Sequence, residues 1–554
     1  MYKYVLLLGF ITVPLLAMAQ DGDDRSTLLP DIDPQDIEIR GDFTARFPGL
    51  SRQPILGFNP KPRVFQMDPD RLPFIESDED AVADITSDGL EQPYSPPRGR
   101  ITYPERTDLF SRLGYGTHES PEVRVYGETR VSEYAQVSGD FNFLSSPGNM
   151  TDATSSFRYL DGRGDWIRRK NNSRLQLGLT GRSDFNYAVP GSADLESDEN
   201  IRKDYQEIGA HTSFRHLYNA YNGWDLNGRY RYFQVENNLP ANFNDEHYGR
   251  IGINRHWDGR RIGEVYNLSL FGEGSIYNTF EQSNMSWYIT RLKAFYKRNL
   301  SNSHFQAGLD AYHSYDEVDE PINLYIFPNL KFHYAGFESG EVEFSVKSFV
   351  ENSGLKGVHT DNRQLLIDPI IHNEHGLIAS VNGSYEAFRG ARFFGGISYA
   401  GYGTYSYYLL DDEGYSLNYD DDTNILEATF GFSYDFIPKR LTLYSDVIWR
   451  NSSTSEKQPV PFLEDTRSTA SLYSNPFGNL HLRTWTEYRG PRPVNFTEEN
   501  MDGYFLFGVQ LDYKITSNFG AYIKGLNLLN RDYEVWQGYR ERPVQVYGGL
   551  TLHI

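Results

Sequence analysis

A chain of 554 residues with a formal charge of −22 and no cysteine excludes disulfides and thiolate metal sites, and is a poor match for nucleic acid. Its mean hydropathy is −0.58, and no apolar run beyond the N-terminus approaches the roughly 18 residues that a helical membrane span needs. Yet 15% of the residues are aromatic, with 41 Tyr and 35 Phe, the types that ring both rims of a membrane β-barrel.

Residues 1–19 read as a secretory signal peptide. Lys3 supplies the positive start, Val5 to Leu16 the apolar core, and Ala17-Met18-Ala19 a small-residue cleavage site. Residues 20–106 differ in kind. They are rich in Pro and Asp and show no sustained periodicity, which predicts an irregular, acidic periplasmic extension. Pro30, Pro34, Pro48, Pro54, Pro60 and Pro62 forbid long helices there. A wide barrel has a lumen that side chains cannot fill. The extension is therefore expected to act as a minimal plug, with about 37–65 across the periplasmic mouth. The alternative is a tether for a partner, with the lumen closed by inward-folded outer loops.

From residue 107 the pattern changes to a train of strands. Runs of roughly 10–16 residues alternate between apolar and polar side chains and end in turns. About 22 such runs fit into 107–554, roughly 20 residues per strand and connection, ordinary for a large outer-membrane barrel. The connections sort themselves. Working back from Ile554, short ones such as 516–518, 475–478, 437–439 and 389–390 interleave with longer ones such as 530–542, 490–502, 451–466, 406–423 and 351–376. Periplasmic turns are short and outer loops long, so the alternation predicts an even strand number with both ends of the barrel on the periplasmic side.

Two outer loops carry residues with metal-binding chemistry. Asp411, Asp412, Glu413, Asp420, Asp421 and Asp422 crowd hard oxygen ligands into one loop, and calcium is the ion such a set would take. His359, Asp368, His372, Glu374 and His375 share another loop, although two His three apart carry little weight without geometry. Arg168, Arg169 and Lys170 fall in a predicted periplasmic turn. No nucleophile elbow, phosphate loop or zinc-protease pattern is present, and the expectation is a protein without enzymatic activity.

The last fifty residues are the most regular. Val544, Val546, Gly548, Leu550, Leu552 and Ile554 share one face, and Gln545, Tyr547, Gly549, Thr551 and His553 the other. The stretch also holds Asn527-Leu528-Leu529-Asn530, then Tyr533, Gly538-Tyr539 and Gly549-Leu550. Over about 70 residues this resembles the end of the barrel domain of TonB-dependent outer-membrane receptors. Ile554 stands where that family usually ends in an aromatic, and its folded plug domain is not recognisable in 20–106. The resemblance implies an all-β fold, a transmembrane antiparallel barrel of the Gram-negative-type outer membrane. It also implies uptake or passage of a solute across that membrane. The alternative is a plugless structural or assembly barrel that partners with other envelope proteins. Expected partners are outer-membrane lipid, a solute ligand and a periplasmic or surface envelope protein. No cofactor other than calcium is suggested.

Overall fold

A computed structural model describes residues 108–146, 157–188, 201–219, 222–237, 243–280, 282–317, 323–337, 339–365, 368–411, 414–438, 440–496 and 500–554. The leader, the extension, Asp412 and Glu413 lie outside the described residues. The first part of the barrel is β1 (Asp108–Gly116), β2 (Ser120–Ser132), β3 (Ala135–Ser146), β4 (Phe157–Lys170), β5 (Ser173–Ala188), β6 (Ile201–Asn219), β7 (Asn222–Asn237) and β8 (Phe243–Asp258). It continues through β9 (Glu264–Asn278), β10 (Met285–Leu300), β11 (Ser303–Asp316), β12 (Asn323–Phe337), β13 (Gly340–Glu351), β14 (Glu374–Phe388) and β15 (Ala391–Asp411). After a hairpin strand β16 (Gly414–Asp420) come β17 (Asn424–Ile437), β18 (Leu441–Ser453), β19 (Thr466–Ser474) and β20 (Leu480–Arg489). The short strands β21 (Arg492–Pro493) and β22 (Asn500–Met501) precede β23 (Tyr504–Lys514) and β24 (Phe519–Leu526). The short β25 (Glu534–Trp536) and β26 (Tyr539–Arg540) precede β27 (Gln545–His553).

Every neighbouring pair is antiparallel, and β27 pairs with β1 from Phe110 opposite His553 to Gly116 opposite Tyr547. The sheet thus closes into a barrel of 22 strands. Strands β16, β21, β22, β25 and β26 stay outside the wall as loop hairpins. The last strand pairs with the first, as a barrel in lipid requires, because only closure removes unpaired edges.

The two faces also follow the alternation. Val546, Leu550 and Leu552 are exposed on the outer surface, while Gln545 and Tyr547 are buried on the inner one. Around the barrel Leu113, Leu179, Ile208, Ile251, Leu270 and Ile523 continue the apolar outer band. The inner face instead buries Arg112, Asp140, Asp165, Glu207, Glu246, Asp310 and Lys524. This is the apolar-out, polar-in pattern of a barrel made for a bilayer. Aromatics of the outward rows gather near the short turns. Trp257 stacks on Tyr266 at 6.0 Å, Tyr266 meets Tyr296 at 5.3 Å, and Tyr334 meets Phe337 at 5.1 Å.

Connections at this end hold two to five residues, from 133–134 to 515–518. Those at the other end run to 352–373 and 527–544, although the first, 117–119, is a tight turn with His118 and Glu119 at positive φ. Two long loops differ from expectation. The stretch 406–423 is mostly strand: β15 runs on to Asp411 and pairs with β16 from Tyr405 opposite Asp420 to Asp411 opposite Gly414. The stretch 351–376 contains a helix, α1 (Gly354–Asp361), too short to register as periodicity in the sequence.

Candidate functional site: a loop folded into the mouth

The loop between β13 and β14 does not project away from the barrel. It turns inward and lies against the lumen wall. Leu355 and Ile371, buried to 0% and 1% exposure, pack into one cluster with Tyr205, Phe233, Tyr277, Trp287 and Tyr312 from β6, β7, β9, β10 and β11. Apolar side chains on the inner face of a polar lumen need such a cover, and the loop provides it.

The start of α1 is held by Glu246 on β8. Its carboxylate accepts from the amides of Leu355 at 3.2 Å and Lys356 at 3.5 Å, from Ser275 Oγ at 3.0 Å and from Arg231 at 2.7 Å. Ser353 stands at the capping position without a side-chain cap bond, so the wall supplies the anion that the helix N-terminus favours. Gly354 permits this approach. It sits at φ +63°, and a Cβ there would lie 2.4 Å from Glu246 Oε1.

Charge pairs fix the rest of the loop to β5 and β6. Lys356 meets Glu207 at 2.8 Å, and Arg363 meets Asp184 at 2.7 Å. Asp184 is fully buried and shared with Arg182, also at 2.7 Å. Lys203 Nζ donates to the Leu365 carbonyl at 2.5 Å and to His359 Nδ1 at 3.2 Å. His359 must be neutral to accept. Burial, and after it the charge of Lys203, hold its imidazole well below the ordinary range. Its proton then sits on Nε2, which is buried with no partner among the described residues.

The opposite side of the loop meets the other long loops. Val358 and Leu365 are buried with Tyr415 of β16, against Tyr408, Phe462 and Trp536. Tyr408 donates to the Val358 carbonyl at 3.1 Å, and Tyr415 to the Gln537 carbonyl at 2.9 Å. Rings of Trp536 and Phe462 lie 5.0 Å apart. The loop therefore bridges from the β5–β11 wall to hairpins that rise from β15, β18 and β24. Charge pairs, hydrogen bonds and the Leu355–Ile371 cluster hold the wall side, and aromatic packing the other.

Asp411 and the 420–422 acids, the described members of the predicted acidic set, lie at opposite ends of a hairpin. Asp411 lies at the tip of the β15–β16 hairpin, where it accepts from the Gly414 amide at 3.1 Å. Asp420 lies at its base, about 20 Å away along the strands, and accepts from Thr423 and Ser455. Asp422 turns the chain at φ +74° beside Asp421. The histidine loop disperses too. His359 faces Lys203, Asp368 accepts from Asn244 at 3.3 Å, His372 lies 3.7 Å from Asp316, and His375 stacks on Tyr325 at 4.5 Å. Among the described residues no three acidic or histidine side chains gather around one point. Arg168, Arg169 and Lys170 end β4 beside the short turn 171–172.

The C-terminal signature residues form a knot that holds the last long loop. Asn527, at φ +46°, donates to the carbonyls of Arg531 at 2.8 Å and Arg542 at 3.1 Å and accepts from the Arg531 amide at 3.0 Å. Leu528 fills the space over Gly525, and Asn530 accepts from the Val544 amide at 3.0 Å. Tyr533 packs on Tyr504 at 4.7 Å, while Gly538 turns the chain between β25 and β26 before Tyr539. Gly549 and Leu550 sit opposite Gly114 and Leu113 in the closing pair. These residues shape the loop and the seam.

The whole barrel can be set beside solved structures. It superposes on the ferric-catecholate import receptor Fiu of E. coli K12 with TM-score 0.60 and 11% identity, over 81% of this chain and 82% of that one. The FrpB iron transporter of Neisseria meningitidis gives TM-score 0.66 and 9% identity over the same shares. The copper transporter OprC gives 0.64 and 10%, over 81% and 80%. The fold is that of the TonB-dependent receptor barrels. No family model and no curated protein matches the sequence. At such identities the likeness is one of fold.

Proposed function

We propose that this chain is an outer-membrane barrel for solute uptake, with the long loops outside and the short turns in the periplasm, and that the α1 loop is its gate. The observation that carries this reading is the loop's position. It lies inside the mouth, anchored by Asp184 on β5, Lys203 and Glu207 on β6 and Glu246 on β8, all on the lumen face. Polar anchors of this kind can exchange protein partners for a solute or water at modest net cost. An apolar plug of equal size offers no such exchange. The similar structures are named for ferric-catecholate, iron and copper transport, and a metal complex is the solute class they favour.

Single-channel conductance in planar bilayers tests the gate. The full chain, a chain lacking 20–65, a chain lacking 355–365, and one lacking both are compared. Removal of the loop is expected to raise conductance, most of all where the extension is also gone. If the doubly shortened barrel inserts and conducts no more than the chain lacking 20–65, the loop is not the gate.

A further inference from the structure

Between β12 and β13 the backbone ladder covers only part of the wall. It runs from Phe337 opposite Gly340 to Leu330 opposite Val346 and stops there. Pairing continues on either side. Strands β11 and β12 stay in register to Ser314 opposite Asn323, and β13 and β14 to Glu351 opposite Glu374. Pro328 lies just past the end of the ladder, and proline has no amide hydrogen to give to a second neighbour.

Above that point the strands overlap. Alternation places Ser348 and Val350 in the outward row with Phe344, which is 37% exposed, yet they are only 4% and 6% exposed. The Tyr312 hydroxyl, from the inward row of β11, donates to the Ser348 carbonyl at 2.9 Å. The upper part of β13 therefore passes on the lumen side of β11 and β12. Tyr312, Phe327, Val350 and Ile371 fill the overlap, and none is charged.

The outer lip of this overlap is apolar. Leu324 and Ile326 face outward from β12 at 67% and 63% exposure. Tyr334, in the aromatic ring near the short turns, is on the same row of the same strand. The rise from Tyr334 to Leu324 is about 25 Å for a tilted strand, the full height of an outer-membrane apolar band. Leu324 thus stands at the edge of the band nearer the long loops, with Ile326 just inside it. An unpaired strand edge is tolerated there only where protein covers it. Here the cover is side-chain packing, which can part without breaking a ladder.

We propose that the β12–β13 overlap is a lateral passage for a lipid acyl chain. The chain enters from the bilayer across Leu324 and Ile326 and reaches the apolar cluster under the α1 loop. An acyl chain fits because Ile326, Phe327, Val350 and Ile371 offer hydrocarbon and ring faces, and the one guanidinium over the Tyr312 ring, Arg291 at 5.1 Å, is paired with Asp310 at 2.6 Å. The inference rests on the membrane setting proposed above, and the test separates the two. Wild-type protein is reconstituted into vesicles of phosphatidylcholine carrying a diazirine on one acyl chain, irradiated, and the adducts are mapped by mass spectrometry. Adducts on Phe327, Val350 or Ile371, in addition to outward residues such as Leu309, are the expected result. Adducts confined to the outward rows overturn the passage. Absence of adducts from the outward rows as well overturns the membrane setting itself.

Discussion

The barrel wall has two seams of opposite construction. Where the chain ends meet, β1 and β27 are zipped by backbone. Seven register pairs join them, and Leu109 and Ile554 exchange both amide–carbonyl bonds at 2.9 Å. Side chains reinforce this seam from within, with Arg112 on Asp512 at 3.0 Å and Tyr522 donating to Glu122 at 3.0 Å. Between β12 and β13, strands close in sequence, the ladder stops partway and side chains finish the closure. The difference has a physical reason. No covalent connection restrains the terminal seam, so only a continuous ladder can keep it shut against lipid. Strands β12 and β13 are tied by a two-residue connection, 338–339, and backed by the folded-in loop, so packing suffices.

The largest expected effect tests the backing. Glu246→Ala leaves Arg231 buried without its carboxylate and uncaps α1, and should cost loop closure about 3–5 kcal/mol. Hydrogen exchange at the α1 amides would read this as lost protection while the barrel amides stay protected. Unchanged α1 protection would mean that Glu246 is not the anchor. At the terminal seam, Leu550→Arg puts a charge on the outer face beside Leu113, and should cost about 2–4 kcal/mol in urea-dependent folding into vesicles. Equal stability would place that face away from lipid.

Acid should weaken the loop and spare the terminal seam. His359 has a depressed folded value, so the open loop binds more protons than the closed one. The His359 contribution to closure is therefore fully present above about pH 6.5 and is lost as pH falls towards the folded value, by at most about 1.4 kcal/mol per pH unit. Exchange at α1 measured from pH 7.5 down to 5.5, corrected for intrinsic rates, should accelerate in the wild type. In His359→Gln that pH dependence should flatten. Smallest is Tyr312→Phe, which removes the hydroxyl bond to Ser348 and should cost about 0.5–1.5 kcal/mol, seen as faster exchange in β13 but not in β27. Equal changes in both strands would dissolve the distinction between the seams.

Much of the barrel is legible along the chain. The faces of β27 and the sorting of connections follow from a two-residue period and from turn chemistry, which are local, and the pairing of the last strand with the first follows from the need to leave no open edge. The site is less so. Glu246 reads as one acid in a strand, and nothing nearby marks it as the cap of a helix more than a hundred residues later. Leu355, Val358 and His359 have helical spacing, but eight residues cannot rise above noise. The acids of 411–422 are neighbours in sequence, and a hairpin separates Asp411 from Asp420.

What the sequence by itself determined is the barrel: alternation sets which side chains meet lipid, and an edge-free sheet is the only extended structure that a bilayer accepts. Only the tertiary structure decided that the 352–373 loop folds inward, that Asp184, Lys203, Glu207 and Glu246 hold it, and that β12 and β13 part below it. Those outcomes depend on contacts between residues far apart in the chain, where charge and shape must match across the lumen. No local pattern encodes such a match.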